Sequence, residues 1–198
     1  MNTAEKFKLK PAKYQLIVET ATDLFMRFGI KRVTVEEICR TAQISKMTFY
    51  KYFNNKTDLA EYIIFSILEN AQIEFDSIWK QLSTFDHKIN QFIKLKMYYA
   101  KKFSKEFFIE YMSLSPKIHE RVMDYSKKSQ ISFIKMIEQA QNSGSVRSDV
   151  SINFITFMFN HTLELVENND LYAMYNNLED LTHDMINFYF YGIMGKTK

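Results

Sequence analysis

Thr34-Val-Glu-Glu-Ile-Cys-Arg-Thr-Ala-Gln-Ile-Ser-Lys-Met-Thr-Phe-Tyr-Lys-Tyr-Phe53 is the stretch whose reading decides the fold. Thr34 stands three residues before Glu37, the spacing at which a hydroxyl and an acid satisfy the free N–H groups of a helix start, so a short helix opens at Val35 and ends near Ala42. Ser45 offers the same oxygen to a second start, and Phe49 and Phe53, four apart, share one face of a helix expected to close at Asn54 and Asn55. Ile38, Ala42, Ile44, Phe49 and Phe53 are placed to pack together: small Ala42 lets the two helices approach, Ile44 plugs the corner, and the phenylalanines pin the second helix. Met47, Thr48, Tyr50 and Lys51 then project away from that core. This is the grammar of a helix-turn-helix, which lays its second helix in the major groove of DNA.

Working outward, Ile17, Ala21, Leu24, Phe25 and Phe28 recur at helical spacing, and Gly29 follows where a left-handed C-cap is expected, predicting a helix from Pro11 to Phe28. After Lys56, the stripe Leu59, Ile63, Ile67, Ala71, Phe75, Ile78 and Leu82 traces one long helix. Further amphipathic stretches cover residues 86–103, 106–114, 116–142, 150–167 and 176–194, separated by Pro116, by residues 142–145 and by residues 168–170. Four Gly and two Pro among 198 residues leave little material for hairpins or glycine-rich βα turns, so the expectation is an all-α protein. Its division is into a helix-turn-helix domain over residues 1–58 and a helical domain over 59–198.

Charge follows that division. Residues 1–60 hold eight Lys and three Arg against six acids, whereas residues 61–198 hold fifteen basic and seventeen acidic residues. A basic first part suggests a polyanionic partner. Lys6, Lys8, Lys10 and Lys13 read equally as an arm toward DNA and as a solubilising tail. A lone Cys39, no apolar leader in residues 1–13 and no apolar run long enough to span a bilayer point to the cytoplasm, with no membrane partner.

Thr34, the run from Ala42 to Phe53 and Lys56-Thr57-Asp58-Leu59 together resemble the signature of the TetR family of bacterial transcription regulators. That family shows small-Val-Ser-x-x-Thr-Leu-Tyr-x-Tyr-Phe-x-x-Lys; this chain keeps Ser45, Thr48, Tyr50, Tyr52, Phe53 and Lys56, and departs with Gln43 and Met47 where small residues or Pro are common, Phe49 for Leu, and Asn54 for Pro. Gln43 makes the turn less obviously left-handed. The resemblance implies that Thr34, Thr48, Tyr50, Tyr52 and Lys56 contact phosphates, that Lys46, Met47 and Lys51 reach base edges, and that Ser45 belongs to the same DNA-binding set. Hydroxyls and helix N-termini donate to phosphate, and Lys donates to guanine O6 or N7, in keeping with those roles. Thr34 reads also as a cap only, Tyr50 and Tyr52 as core aromatics, and the lysines as solvated charges.

Beyond residue 60 lie 23 of the 31 aromatic residues and eight of the eleven Met. The family's architecture implies an effector pocket among the middle helices, lined by Trp79, Phe92, Tyr99, Phe103, Phe107, Tyr111, Met112 and Phe133, suited to a flat, apolar or cationic molecule. Each of these residues also reads as plain core. Phe154, Phe157, Met158, His161, Leu165, Met185, Phe188 and Tyr189, on the last two long helices, are the expected homodimer interface, whose two-fold axis would match a palindromic operator. The expected function is therefore a repressor released from its operator by a small effector, the long helix carrying the displacement to the reading head. The alternative is a DNA-binding adaptor whose helical domain docks a protein or membrane. A metal-dependent enzyme built on His161 with Glu164, or His183 with Asp184, finds no HExxH, CxxC or phosphate-cradling loop, so no catalytic residue, metal or cofactor is assigned.

Overall fold

The computed structural model describes residues 7–166 and 169–194, apart from the side chains of 162–166, 169, 191, 193 and 194; Lys6, Glu164 and Leu165 fall outside what is described. From Ala12 onward the described residues form ten helices and no strand: α1 (Ala12–Phe28), α2 (Val35–Thr41), α3 (Lys46–Tyr50), α4 (Lys56–Lys80), α5 (Phe85–Lys102), α6 (Lys105–Met112), α7 (Pro116–Asn142), α8 (Ile152–Val166), α9 (Asn169–Ala173) and α10 (Leu178–Met194). The chain divides into two compact units, the first comprising Met1–Ile73 with Lys102–Asp124 and the second Glu74–Lys101 with Tyr125–Lys198. The compact units and the DNA-reading segment are thus different divisions of the chain: α6 and the start of α7, remote in sequence, belong with α1 to α3.

In the first unit the apolar stripe of α1 delivers Ile17, Ala21 and Phe25 to a core where Ile38, Phe49, Leu59, Phe107 and Ile118 are also sealed from solvent. Burying a side chain of this size contributes roughly 1.5–3 kcal/mol, which is how helices as short as α2 and α3 are held. Gly29 ends α1 with φ 82° and ψ 161°, its N–H bonded to the Phe25 carbonyl at 2.9 Å. The positive φ is the expected one, but the ψ carries the chain away extended instead of curling it back over the helix. A Cβ at Gly29 would meet Glu110 Oε2 at 3.0 Å and Glu106 Cβ at 3.1 Å, so glycine is needed here for close approach to α6 as well as for its backbone. Two bonds tie α6 to this corner: Ser104 N–H donates to the Met26 carbonyl (2.7 Å) and Lys31 N–H to Glu110 Oε2 (2.8 Å).

The second unit is built on an aromatic cluster of Phe75, Phe92, Phe133 and Phe190, with Ile89, Ile137 and Ile155 beside them and Trp79 and Phe159 packed against it. Phe75, Trp79, Phe92 and Phe133 meet at centroid separations of 5.2 to 6.1 Å, mostly edge-on or tilted, the geometry that the ring quadrupoles favour. Gln141 closes the loop after α7 by donating from Nε2 to the carbonyls of Arg147 (2.9 Å) and Val150 (2.8 Å).

Three expectations need correction. Leu82 does not extend the α4 stripe: the helix stops at Lys80 and Leu82 is fully exposed. The third helix ends at Tyr50, short of Asn54, because the N–H groups of Tyr52 and Phe53 both bond the Phe49 carbonyl (2.9 and 3.1 Å), tightening the last turn. Asn169 and Asp170, read as part of a separator, open α9, since Asn and Asp favour helix starts as readily as turns.

Candidate nucleic-acid interface

The two helix starts that frame the motif are capped by side chains. Thr34 Oγ1 accepts from the Glu37 N–H (3.1 Å), Ser45 Oγ accepts from the Thr48 N–H (3.1 Å), and the Ser45 and Thr48 hydroxyls lie 3.0 Å apart. The turn between α2 and α3 is left-handed, with Gln43 at φ 51° in the conformation usually left to glycine. Ile44 N–H reaches back to the Cys39 carbonyl (2.9 Å), closing the corner around buried Ile38 and Ala42. Phe49 is sealed under α3, Tyr50 packs edge-on against it at 5.3 Å, and Phe53 stacks on Tyr14 at 5.1 Å.

That anchoring turns the other side of α3 outward. Met47 is 83% exposed and Tyr50 54%, with Ser45, Lys46 and Lys51 exposed beside them and Thr48 half-buried. Thr34 is exposed at the start of α2. Tyr52 is half-buried, its ring edge-on to Tyr14 (5.7 Å) and under the Lys51 ammonium (5.9 Å). The structure therefore gathers Thr34, Ser45, Lys46, Met47, Thr48, Tyr50, Lys51 and Tyr52 on one helix-turn-helix. Lys46 forms an ion pair with Glu36 of α2; the Lys46 hydrogen bond holds the Glu36 carboxyl below the usual carboxylate range, and the same bond raises the Lys46 ammonium. Sequence reasoning missed that pairing, which joins residues ten apart.

Lys56 stands elsewhere. Its Nζ donates to the carbonyls of Ile30 (2.7 Å), Lys31 (3.0 Å) and Val33 (2.7 Å), which uses all three ammonium protons on the turn between α1 and α2. Burial lowers its pKa, the Glu110 charge opposes that shift, and bonding to three carbonyls also favours the charged form. These three bonds tie the start of α4 to the turn between α1 and α2, a structural role beside the phosphate contact expected of Lys56. Among the basic residues before α1, Lys8, Lys10 and Lys13 are exposed, but Gln15 Nε2 donates to the carbonyls of Lys8 (3.2 Å) and Lys10 (2.7 Å), drawing that segment onto α1.

The expected pocket residues separate. Trp79, Phe92 and Phe133 meet in the second unit, where Tyr99 also lies with its hydroxyl donating to Glu74 Oε2 at 3.5 Å, whereas Phe103, Phe107, Tyr111 and Met112 pack into the core of the first. On α8 and α10, Phe154, Phe157 and Phe188 are exposed (56, 56 and 69%), and Met158, His161, Met185 and Tyr189 are half-buried. His161 sits 4.1 Å from the Phe157 ring and bonds its carbonyl through Nδ1 (2.8 Å). Among the described residues no cluster of His, Cys, Asp and Glu could hold a metal ion, and no helix is long and apolar enough to cross a membrane.

Residues 17–63 match the bacterial regulatory proteins of the tetR family. Over 136 residues the chain is 26% identical to the uncharacterized HTH-type transcriptional regulator YhgD of Bacillus subtilis (strain 168), an alignment covering 67% of this chain and 71% of that protein. Its fold is similar to that of SCO4454, a TetR-family transcriptional regulator from Streptomyces coelicolor (TM-score 0.67, 16% identity, 96% of this chain and 92% of the other). It is similar also to the ketosteroid transcriptional regulator KstR2 of Mycobacterium tuberculosis (TM-score 0.64, 13% identity, 95% and 97%). These relatives are regulators of transcription, not enzymes. With a capped, anchored helix-turn-helix inside the matched segment and helical architecture throughout the described residues, the chain carries over residues 17–63 a DNA-binding domain of the tetR type and is similar in sequence and fold to regulators of transcription.

Proposed function

We propose that the protein is a homodimeric repressor that occupies a palindromic operator in the cytoplasm and leaves it when a small, largely apolar effector binds the second unit. The observation that carries the DNA half is α3: Phe49 is fully buried on one side while Met47 is 83% exposed on the other, so a rigidly held helix offers Lys46, Met47 and Lys51 to base edges. Thr34, Ser45, Thr48, Tyr50 and Tyr52 flank it with hydroxyls for phosphate oxygens. Residues 1–58 are the DNA-reading segment of this proposal and 59–198 the segment for dimerisation and effector binding. Two reading helices must enter successive major grooves about 34–36 Å apart, which one copy cannot do. The exposed phenylalanines of α8 and α10 supply the apolar surface that a dimer would cover. Helix α4 runs by its residue numbers through both compact units, which favours it as the element that carries an effector's displacement to the reading head.

Selection of duplex fragments from a random pool by the purified protein, followed by sequencing, tests this reading. An enriched inverted repeat with half-sites about one helical turn apart is the expected result. Retention of duplex DNA without sequence preference, or with a single half-site, would overturn it. A dimer that reads such a repeat, but whose operator affinity no small compound alters, would instead favour the adaptor role for the helical domain.

A further inference from the structure

A carboxylate sits among the cations and hydroxyls of the reading head. Glu36 lies on the first turn of α2, two residues after Thr34, and is exposed. Its Oε1 pairs with Nζ of Lys46, the first residue of α3, and both side chains stay more than half open to solvent, Glu36 at 62% and Lys46 at 56%. The Lys46 hydrogen bond, the backbone N–H of Glu36 and the Lys46 charge hold the carboxyl below its ordinary range, so Glu36 stays ionised. For DNA affinity alone this group is unfavourable: it repels phosphates and neutralises an ammonium that would otherwise displace a counter-ion. An ion pair this exposed contributes little to stability, so holding the fold does not account for it. In a helix-turn-helix the first residues of the second helix meet base edges. Lys46 occupies that place, and a carboxylate hydrogen-bonded to its Nζ shares its reach.

The spare hydrogen-bonding capacity of this pair matches one kind of base-pair edge. An ammonium has two protons beyond the one given to Glu36, and a carboxylate has lone pairs beyond the one that Lys46 uses, so donor and acceptor stand side by side. In the major groove a G·C pair presents guanine N7 and O6, both acceptors, next to the amino donor on cytosine N4. The ammonium can take the two acceptors and the carboxylate the donor without the two side chains parting. At an A·T pair a donor separates the two acceptors, so the ammonium finds one neighbouring acceptor in place of two. We infer that Glu36 is a specificity-determining residue that reads a G·C base pair jointly with Lys46, Lys46 donating to guanine and Glu36 accepting from cytosine N4. Where no cytosine is offered, the carboxylate only repels the backbone, which lowers non-specific binding and widens the ratio on which operator choice depends. This rests on the proposal that α3 reads operator DNA.

The test is selection from a random duplex pool by the full-length protein, run in parallel for the wild type, Glu36→Ala, Lys46→Ala and the double variant, once circular dichroism shows that each is folded. The wild type should enrich a G·C pair at one fixed position of each half-site. Glu36→Ala and Lys46→Ala should each relax the preference at that same position. Measured against the enriched site with this pair changed to A·T, discrimination should fall from roughly 10- to 100-fold to within about twofold. The double variant should relax it no further than either single one, because the two side chains act as a unit. Glu36→Ala should also bind random duplex several-fold more tightly at low salt, since Lys46 is then free to meet phosphates. Full G·C preference retained in Glu36→Ala, whether or not random duplex is bound more tightly, would overturn the assignment and leave the role of α3 standing. So would relaxation at different positions in the two single variants, or an A·T pair enriched at the shared one. A wild type that enriches no sequence would remove the operator reading and this inference with it.

Discussion

Replacing Lys56 with Met keeps the length of the side chain and removes its three hydrogen bonds to the carbonyls of Ile30, Lys31 and Val33, the longest of them 3.0 Å. Bonds to a charged donor contribute about 1.5–3 kcal/mol each when well shielded, but the three share one ammonium that is only half-buried and was itself desolvated, so a net loss of about 2 kcal/mol is expected. For a chain of this size that corresponds to roughly 4–8 °C in Tm, measured by far-UV circular dichroism in a thermal scan. The same variant separates two roles of Lys56. A phosphate contact, if lost, would lower the dependence of log K on log salt by about one unit. A tie between α4 and the α1–α2 turn predicts instead a lower Tm with the salt slope unchanged, read on operator DNA well below the transition. Wild-type stability together with a slope reduced by one would refute the structural role and restore Lys56 to the DNA surface.

Three further outcomes follow from the reading head and the last helices. Gln43→Gly should raise stability by about 0.5–1 kcal/mol, because the left-handed φ of 51° costs a side chain roughly 1–2 kcal/mol and glycine returns part of that gain through its freer unfolded chain; an unchanged or lower Tm would count against strain at this turn. Glu36→Gln should raise operator affinity several-fold at low salt by freeing the Lys46 ammonium, with the gain fading as salt increases; filter binding across a salt series that shows no change would mean Lys46 does not reach DNA. Phe157→Glu with Phe188→Glu should yield a folded monomer that binds operator far more weakly, and light scattering that still finds a dimer would move the interface off these exposed faces of α8 and α10.

What could be read from the sequence was what short spacing determines. Thr34 and Ser45 cap N–H groups only three residues ahead, so their roles needed no knowledge of distant chain, and the stripe through Ile17, Ala21 and Phe25 announced its buried face. Lys56 was beyond such reading: its partners lie 23 to 26 residues back, and only the folded turn brings three carbonyls to one point. Aromatic content told that something was packed or lined, but not which neighbours each ring would find. Phe107 went to the first core because α6 is tied to Met26 and Lys31, while Phe133 joined Phe92 in the second.

Helix α3 is only five residues long, too short to persist in water on its own, and its order comes from Ser45 at one end and Phe49 and Phe53 beneath. Foldability and vocabulary are thereby assigned to different residues. Positions such as Met47 and Lys51 can mutate with little penalty to the domain, so a lineage carrying this head can drift toward new promoters through single, individually tolerated changes. Selection on the anchors, in turn, need never know which genes the protein controls.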